Sequence, residues 1–148
     1  MPSIYERSIC MKLNISCVRD ILLTVEKYET IYEPVSFDSK KNSHCDDFLS
    51  SYNTDEILYH VRYCINSGLL SDVCGEKPWG YIMFDCCLEP PGHDFLENTR
   101  TDEKWHATKT IFSKVGGASL KALSAISEGV TTALINKYLP AEISKIPI

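Results

Sequence analysis

One segment constrains this chain more than any other. Residues Asn53–Leu70 read NTDEILYHVRYCINSGLL. Asn53 can accept the backbone N–H of Glu56, and the Glu56 carboxylate can reach back, a capping-box arrangement that opens a helix. Asp55 and Glu56 fall in the first turn, where the helix dipole favours negative charge. Ile57, Val61, Cys64 and Ile65 recur as an apolar stripe. Gly68 is placed to end the helix in the left-handed conformation, and Leu69-Leu70 then enter a strand. The spacing predicts strands at Leu70–Cys74 and Gly80–Cys86, joined by Gly75–Trp79. On the second of these, Tyr81, Met83 and Asp85 alternate with Ile82, Phe84 and Cys86. A helix that leaves through a glycine into a two-stranded hairpin is the pattern of a winged helix. Such folds hold nucleic acid or protein far more often than they do chemistry.

Around this centre the sequence predicts a mainly α (α+β) protein. Asn14 or Ser16 caps a first helix over Cys17–Tyr28, with Val18, Ile21, Leu22 and Val25 facing inward. Thr30–Ser43 reads as a loop carrying one short strand at Val35-Ser36-Phe37. Cys45–Tyr52 reads as a short second helix presenting Phe48, Leu49 and Tyr52. Pro90-Pro91-Gly92 is expected to break the chain before a helix from about His93 to Arg100. Thr101-Asp102-Glu103 starts another helix, anchored by Trp105, Thr108 and Phe112. After the soft spot Val115–Ser119, a helix of roughly five turns is expected to end at Pro140. The expected organisation is an N-terminal extension at 1–10, a winged-helix-like domain at 11–100, a helical extension at 101–139 and a tail at 140–148.

Seven cysteines, an odd number, with no secretory h-region, fit a reducing cytosolic setting. Cys74, Cys86, Cys87 and His93 lie close in sequence, but no Cys-x-x-Cys or His-x-x-x-His spacing joins them. Adjacent strand residues point to opposite faces, so Cys86 and Cys87 do not share a metal easily. No metal and no cofactor are expected. The four histidines, His44, His60, His93 and His106, have no nucleophile at a recognisable motif, and no glycine-rich loop follows a strand. The chain reads as a non-enzyme. No apolar run approaches the length of a membrane span, so no membrane partner is expected.

The candidate partner surface lies on the Asn53–Leu70 helix and the hairpin behind it: Asp55, Glu56, Tyr59, Arg62, Tyr63, Asn66, Glu76, Lys77 and Trp79. Arg62 could meet a guanine edge and Asn66 an adenine edge. Each could equally be ordinary solvated surface. Charge decides between the two classes of partner. From Thr54 to Arg100 three basic residues face eight acidic ones, a net −5 that equals the charge of the whole chain. DNA binding draws most of its affinity from Lys and Arg on phosphates. The acidic reading head therefore suits a basic protein surface better. On the last helix, Leu120, Leu123, Ile126, Val130 and Leu134 form an apolar seam. It can fold back on the chain or pair with a second copy in a homodimer.

Three blocks carry a resemblance: MKLNISCVRDILLTVE at Met11–Glu26, TDEILYHVRYCINSGLL at Thr54–Leu70, and the stretch from Leu88 to Ile126. Together they resemble the domain-of-unknown-function family 2513, over nearly all of Met11–Leu139. The most specific marks are Met11-Lys12-Leu13-Asn14, the pair Tyr59-His60 before Gly68-Leu69, and Gly92-His93 followed by Phe95-Leu96, Arg100 and Trp105. The chain departs from the family pattern at Pro90-Pro91, where a threonine and a polar residue are expected. The resemblance implies a small cytosolic protein from a phage or prophage, with a winged-helix-like core and no catalytic residues to carry over. The resulting expectation is a protein of the host-cell cytosol that binds a host protein through an acidic surface, with an anti-defence inhibitor as one form of it. A DNA-binding regulator of phage genes is the alternative.

Overall fold

A computed structural model describes residues 11–39, 47–74 and 82–147. The expected extension at 1–10, the Lys40-Lys41 pair and the hairpin tip with Glu76, Lys77 and Trp79 lie outside the described residues. The chain is mainly helical with one small antiparallel sheet, and it divides into two compact units, 1–92 and 93–148.

The first unit begins with α1 (Ile15–Tyr28), two residues earlier than the apolar spacing suggested. Asn14 sets that start: its Oδ1 accepts the backbone N–H groups of Ser16 and Cys17 at 3.1 and 3.2 Å. Cys17, Val18, Ile21, Leu22 and Val25 of α1 are fully buried. A short strand, β1 (Val35–Asp38), follows. Next come α2 (Thr54–Asn66), β2 (Leu70–Asp72) and β3 (Met83–Leu88). The sheet order is β1-β3-β2, so β3 is the central strand, with Val35 opposite Cys86 and Leu70 opposite Leu88. Helix α1 packs on α2 and β3, and α2 packs on β1 and β2. The core is closed by Phe37, Ile57, Val61, Cys64, Leu70 and Cys86, all at 2% exposure or less. Burying a Leu- or Ile-sized side chain stabilises by about 1.5–3 kcal/mol, so this shared core is the main source of order.

Two local expectations change here. The second helix expected over Cys45–Tyr52 is absent from its described part: residues 47–52 form bends and a single turn, closed by the Tyr52 N–H on the Leu49 carbonyl at 3.1 Å. The physical reason lies on α1. Tyr52 donates its hydroxyl to Asp20 at 2.8 Å, Asp47 takes Lys27 and Tyr28, and Leu49 is buried as a plug. Those anchors fix the side chains, and a segment this short has no helical nucleus of its own. The capping box on α2 is half formed. Asn53 accepts the Glu56 N–H at 2.8 Å, but the Glu56 carboxylate turns away to Asn14 instead of reaching back.

The exit of α2 follows the sequence. Gly68 has φ +79°, the Gly68 N–H bonds the Ile65 carbonyl at 3.1 Å and the Leu69 N–H bonds the Cys64 carbonyl at 3.0 Å, the paired bonds of a Schellman motif. The Leu69 carbonyl then accepts the Glu89 N–H at 3.0 Å, which tethers the end of β3 to the start of β2.

Helix α3 (Pro90–Asn98) opens on the two prolines that were expected to precede it. Proline lacks only an N–H that the first turn leaves unpaired anyway, so Pro90-Pro91 starts the helix rather than blocking it. Gly92 is in that first turn for want of space: a Cβ there would stand 2.3 Å from the Leu69 carbonyl oxygen and 2.7 Å from Leu88 Cδ1.

In the second unit, Phe95 meets Trp105 edge-on, with ring centroids 6.5 Å apart at 78°. Thr101 caps α4 (Asp102–Lys114) by accepting the Lys104 N–H at 3.2 Å. Gly116 and Gly117, at φ +82° and +80°, turn the chain. Ser119 caps α5 (Leu120–Ile143). At 24 residues α5 is about 36 Å long, well beyond five turns, and it carries one turn past Pro140. Helices α4 and α5 pack together as a hairpin. Leu120, Leu123, Ser127 and Val130 of α5 are buried, whereas Ile135, Tyr138, Leu139 and Ile143 remain about half exposed. Among the described residues no helix is long and apolar enough to cross a membrane.

Candidate functional site

Helical periodicity places Asp55, Tyr59, Arg62 and Asn66 on one side of α2. Asp55, Arg62 and Asn66 are exposed, and Tyr59 is half-buried. Asp55, Leu58, Tyr59 and Arg62 line a groove of about 250 Å³, with Ile82 and Phe84 from the β3 end of the hairpin and Met11 from the segment before α1. Its floor is apolar, from Leu58, Phe84, Ile82 and Met11, and its rim carries one carboxylate and one guanidinium. Tyr63 sits beside Tyr59 with ring centroids 6.2 Å apart, half-buried and outside the lining.

Glu56 is drawn away from this face. Its Oε1 accepts the Asn14 side-chain N–H at 3.1 Å, which ties α2 to the cap of α1. His60, next to Tyr59 on α2, is fully buried. Its Nε2 accepts the Asn14 backbone N–H at 2.8 Å, and its Nδ1 lies 2.8 Å from the Glu56 carbonyl. One ring nitrogen must therefore accept and the other donate, which selects the neutral Nδ1–H tautomer. A charged ring would have no lone pair for Asn14. His60 is a structural clasp, and it joins two of the sequence blocks that carry the family resemblance: the Asn14 of MKLN and the Tyr59-His60 pair.

Several of the carboxylates counted over Thr54–Arg100 are engaged within the fold. Asp72 accepts the backbone N–H groups of Cys74 and Asp85, each at 3.1 Å. Asp85 takes the Ser36 hydroxyl, and Glu97 pairs with Arg100 at 2.6 Å. Asp72 and Asp85 thus brace the sheet, whereas the Glu97–Arg100 pair is exposed. Of the two acids that open α2, Asp55 is exposed and Glu56 is half-buried.

Burial sets the titration of the core thiols. Burial pushes the Cys17 thiol up to about 12, and it pushes Cys64 and Cys86 higher still. A thiol held protonated is a poor nucleophile. Burial also raises the Asp20 carboxyl, against the lowering effect of the Tyr52 hydroxyl and the Arg19 charge. Among the described residues no three His, Cys, Asp or Glu side chains gather as a metal site.

Three of the sequence candidates, Asp55, Tyr59 and Arg62, line this groove, while Leu58, Ile82, Phe84 and Met11 were not among them. The signal was present in part, since Ile82 and Phe84 alternate on one strand face. Nothing in the sequence placed Met11 against them.

An α+β protein with a three-stranded sheet, an apolar groove along its second helix and a C-terminal helical hairpin is the class that this geometry defines. The chain belongs to the family described as "Hypothetical protein (DUF2513)", whose model matches residues 12–119. No curated protein and no solved structure matches it.

Proposed function

We propose that this is a non-enzymatic binding protein whose α2 face docks on another protein, with a host protein of a phage or prophage as the expected partner. The observation that carries the reading is the groove: an apolar floor of Leu58, Phe84 and Ile82 under a rim of Asp55 and Arg62. A protein partner can fill such a floor with an aliphatic or aromatic side chain while charged neighbours meet Asp55 and Arg62. A phosphate backbone gains nothing from an apolar floor and needs several cations, where the described residues lining this groove include one, Arg62. Inhibition of a host defence effector is one role that such docking would serve.

The second reading is a DNA-binding regulator. What favours it is the succession α1-β1-α2-β2-β3 with sheet order β1-β3-β2. That order is what a winged-helix reading expects, with a turn over the described residues 47–52 in place of a middle helix, and on that reading α2 would enter a groove with Arg62 and Asn66 outward.

The test is affinity capture from host lysate with the full chain and with two folded variants, Tyr59→Ala and Arg62→Ala. A protein retained by the wild type and lost from both supports docking through α2. Retention unchanged by both variants contradicts it.

A further inference from the structure

Two features of the chain take no part in the α2 groove, and they match each other. The first is the turn Thr30–Glu33. It presents Ile31 at 92% and Tyr32 at 90% exposure, far beyond what large apolar side chains ordinarily show. The turn is held firmly. Thr30 and Glu33 exchange backbone bonds at 3.0 and 3.3 Å. The Thr30 hydroxyl oxygen accepts the Tyr32 and Glu33 N–H groups at 3.3 and 3.0 Å. Pro34 follows and fixes the backbone on that side. Ile31 and Tyr32 therefore form a pre-organised apolar knob beside the exposed carboxylate of Glu33.

The second feature is a groove of about 450 Å³ between α4 and α5. Ile111 of α4 and Ile126, Gly129, Ala133 and Leu134 of α5 line it, and Lys137 stands at its rim. Gly129 leaves it open, since a Cβ added there would meet nothing within 4 Å. The volume lies in the range that holds compact apolar groups.

We infer that the groove receives the Ile31-Tyr32 knob of a second copy of this chain, with Glu33 of one copy against Lys137 of the other. Shape and charge both favour this occupant: an apolar slot with a cationic rim takes an apolar knob with an anionic flank. A rigid aromatic anchor is also the kind of residue that dominates interfaces, because little entropy is lost when it docks. The contact is heterologous, knob to groove, and independent of docking through α2.

Sedimentation velocity on the full chain tests it, with thermal melts to confirm folding of each variant. The weight-average mass is expected to rise with concentration. The double variant Ile31→Ser/Tyr32→Ser and the groove-filling Ala133→Trp should each weaken association roughly tenfold or more. Mixing those two variants should restore association, because one copy keeps its groove and the other its knob. Glu33→Lys and Lys137→Glu should each weaken it alone and recover it when mixed, which keeps the test decisive if Ala133→Trp misfolds. A chain that stays monomeric up to about 1 mM overturns the inference. So does a dimer lost with Ala133→Trp and untouched by the knob variant, which would mean groove pairing with groove.

Discussion

His60 accepts the backbone N–H of Asn14 at 2.8 Å, and through that bond a histidine in the middle of one helix holds the cap of another. Asn14 makes three kinds of contact at once. Its side-chain oxygen caps α1, its side-chain N–H reaches Glu56, and its backbone N–H enters the imidazole. The imidazole end of this bond is fully buried and Asn14 is half-buried, so removing the acceptor leaves the Asn14 N–H poorly compensated.

His60→Phe keeps most of the ring volume and removes the acceptor. It should destabilise the fold by about 1–3 kcal/mol in urea titration, the range for a buried amide left unpaired. Asn14→Ala should cost at least the ~1 kcal/mol of a lost cap. The double variant should cost less than the sum of the two, because both act on one network.

Gly92 and Gly129 should respond to alanine with opposite signs. At Gly92 the new methyl would lie 2.3 Å from the Leu69 carbonyl oxygen, which cannot move without disturbing the exit of α2. Gly92→Ala is expected to lose about 1–3 kcal/mol, the usual range for overpacking. At Gly129 an added Cβ meets nothing within 4 Å inside a helix. Gly129→Ala should gain about 0.4–1 kcal/mol through the unfolded chain and helix propensity. Paired thermal melts check both.

These positions also show what the sequence makes legible. Period and punctuation revealed the elements: Gly68 ends α2 as its position implied, and the alternation around Phe84 marked a strand. Tertiary choices were not legible. Asn14 and His60 lie 46 residues apart, and nothing local says that they meet. The segment at 47–52 carried a helix-like pattern, but partners on α1 claimed its side chains. The −5 count over Thr54–Arg100 treated every carboxylate as surface. In the fold, Glu56, Asp72 and Asp85 keep their charge but accept internal hydrogen bonds, so the count overstated how many carboxylates are free to meet a partner.

Asp20 should impose a pH dependence. Burial holds its carboxyl above the ordinary carboxylate range, so the folded state binds that proton more readily than the unfolded chain does. The contribution of the group is full below its ordinary value and is lost as pH rises through the raised one. Asp20→Asn keeps an oxygen for the Tyr52 hydroxyl and carries no charge. It is expected to be more stable than the wild type at neutral pH, with the advantage shrinking toward about pH 4 and below. Denaturation midpoints at several pH values measure this.

Thiol labelling should separate the described cysteines. Cys17, Cys64 and Cys86 are buried and held protonated. In native protein at neutral pH they should react with a disulfide reagent only as fast as the chain opens. Cys74 and Cys87, both half-buried, should react ahead of them. Mass spectrometry of the labelled peptides checks the order, and early labelling of Cys64 would contradict the packing of α1 on α2.

The central claim is that the α2 face docks on protein rather than on nucleic acid. Fluorescence anisotropy of a short labelled duplex, titrated with the full chain at about 50 mM salt, tests it most directly. The account predicts no saturable binding. Binding that saturates, weakens steeply as salt rises, and falls with Arg62→Ala would contradict it and make α2 a reader of DNA.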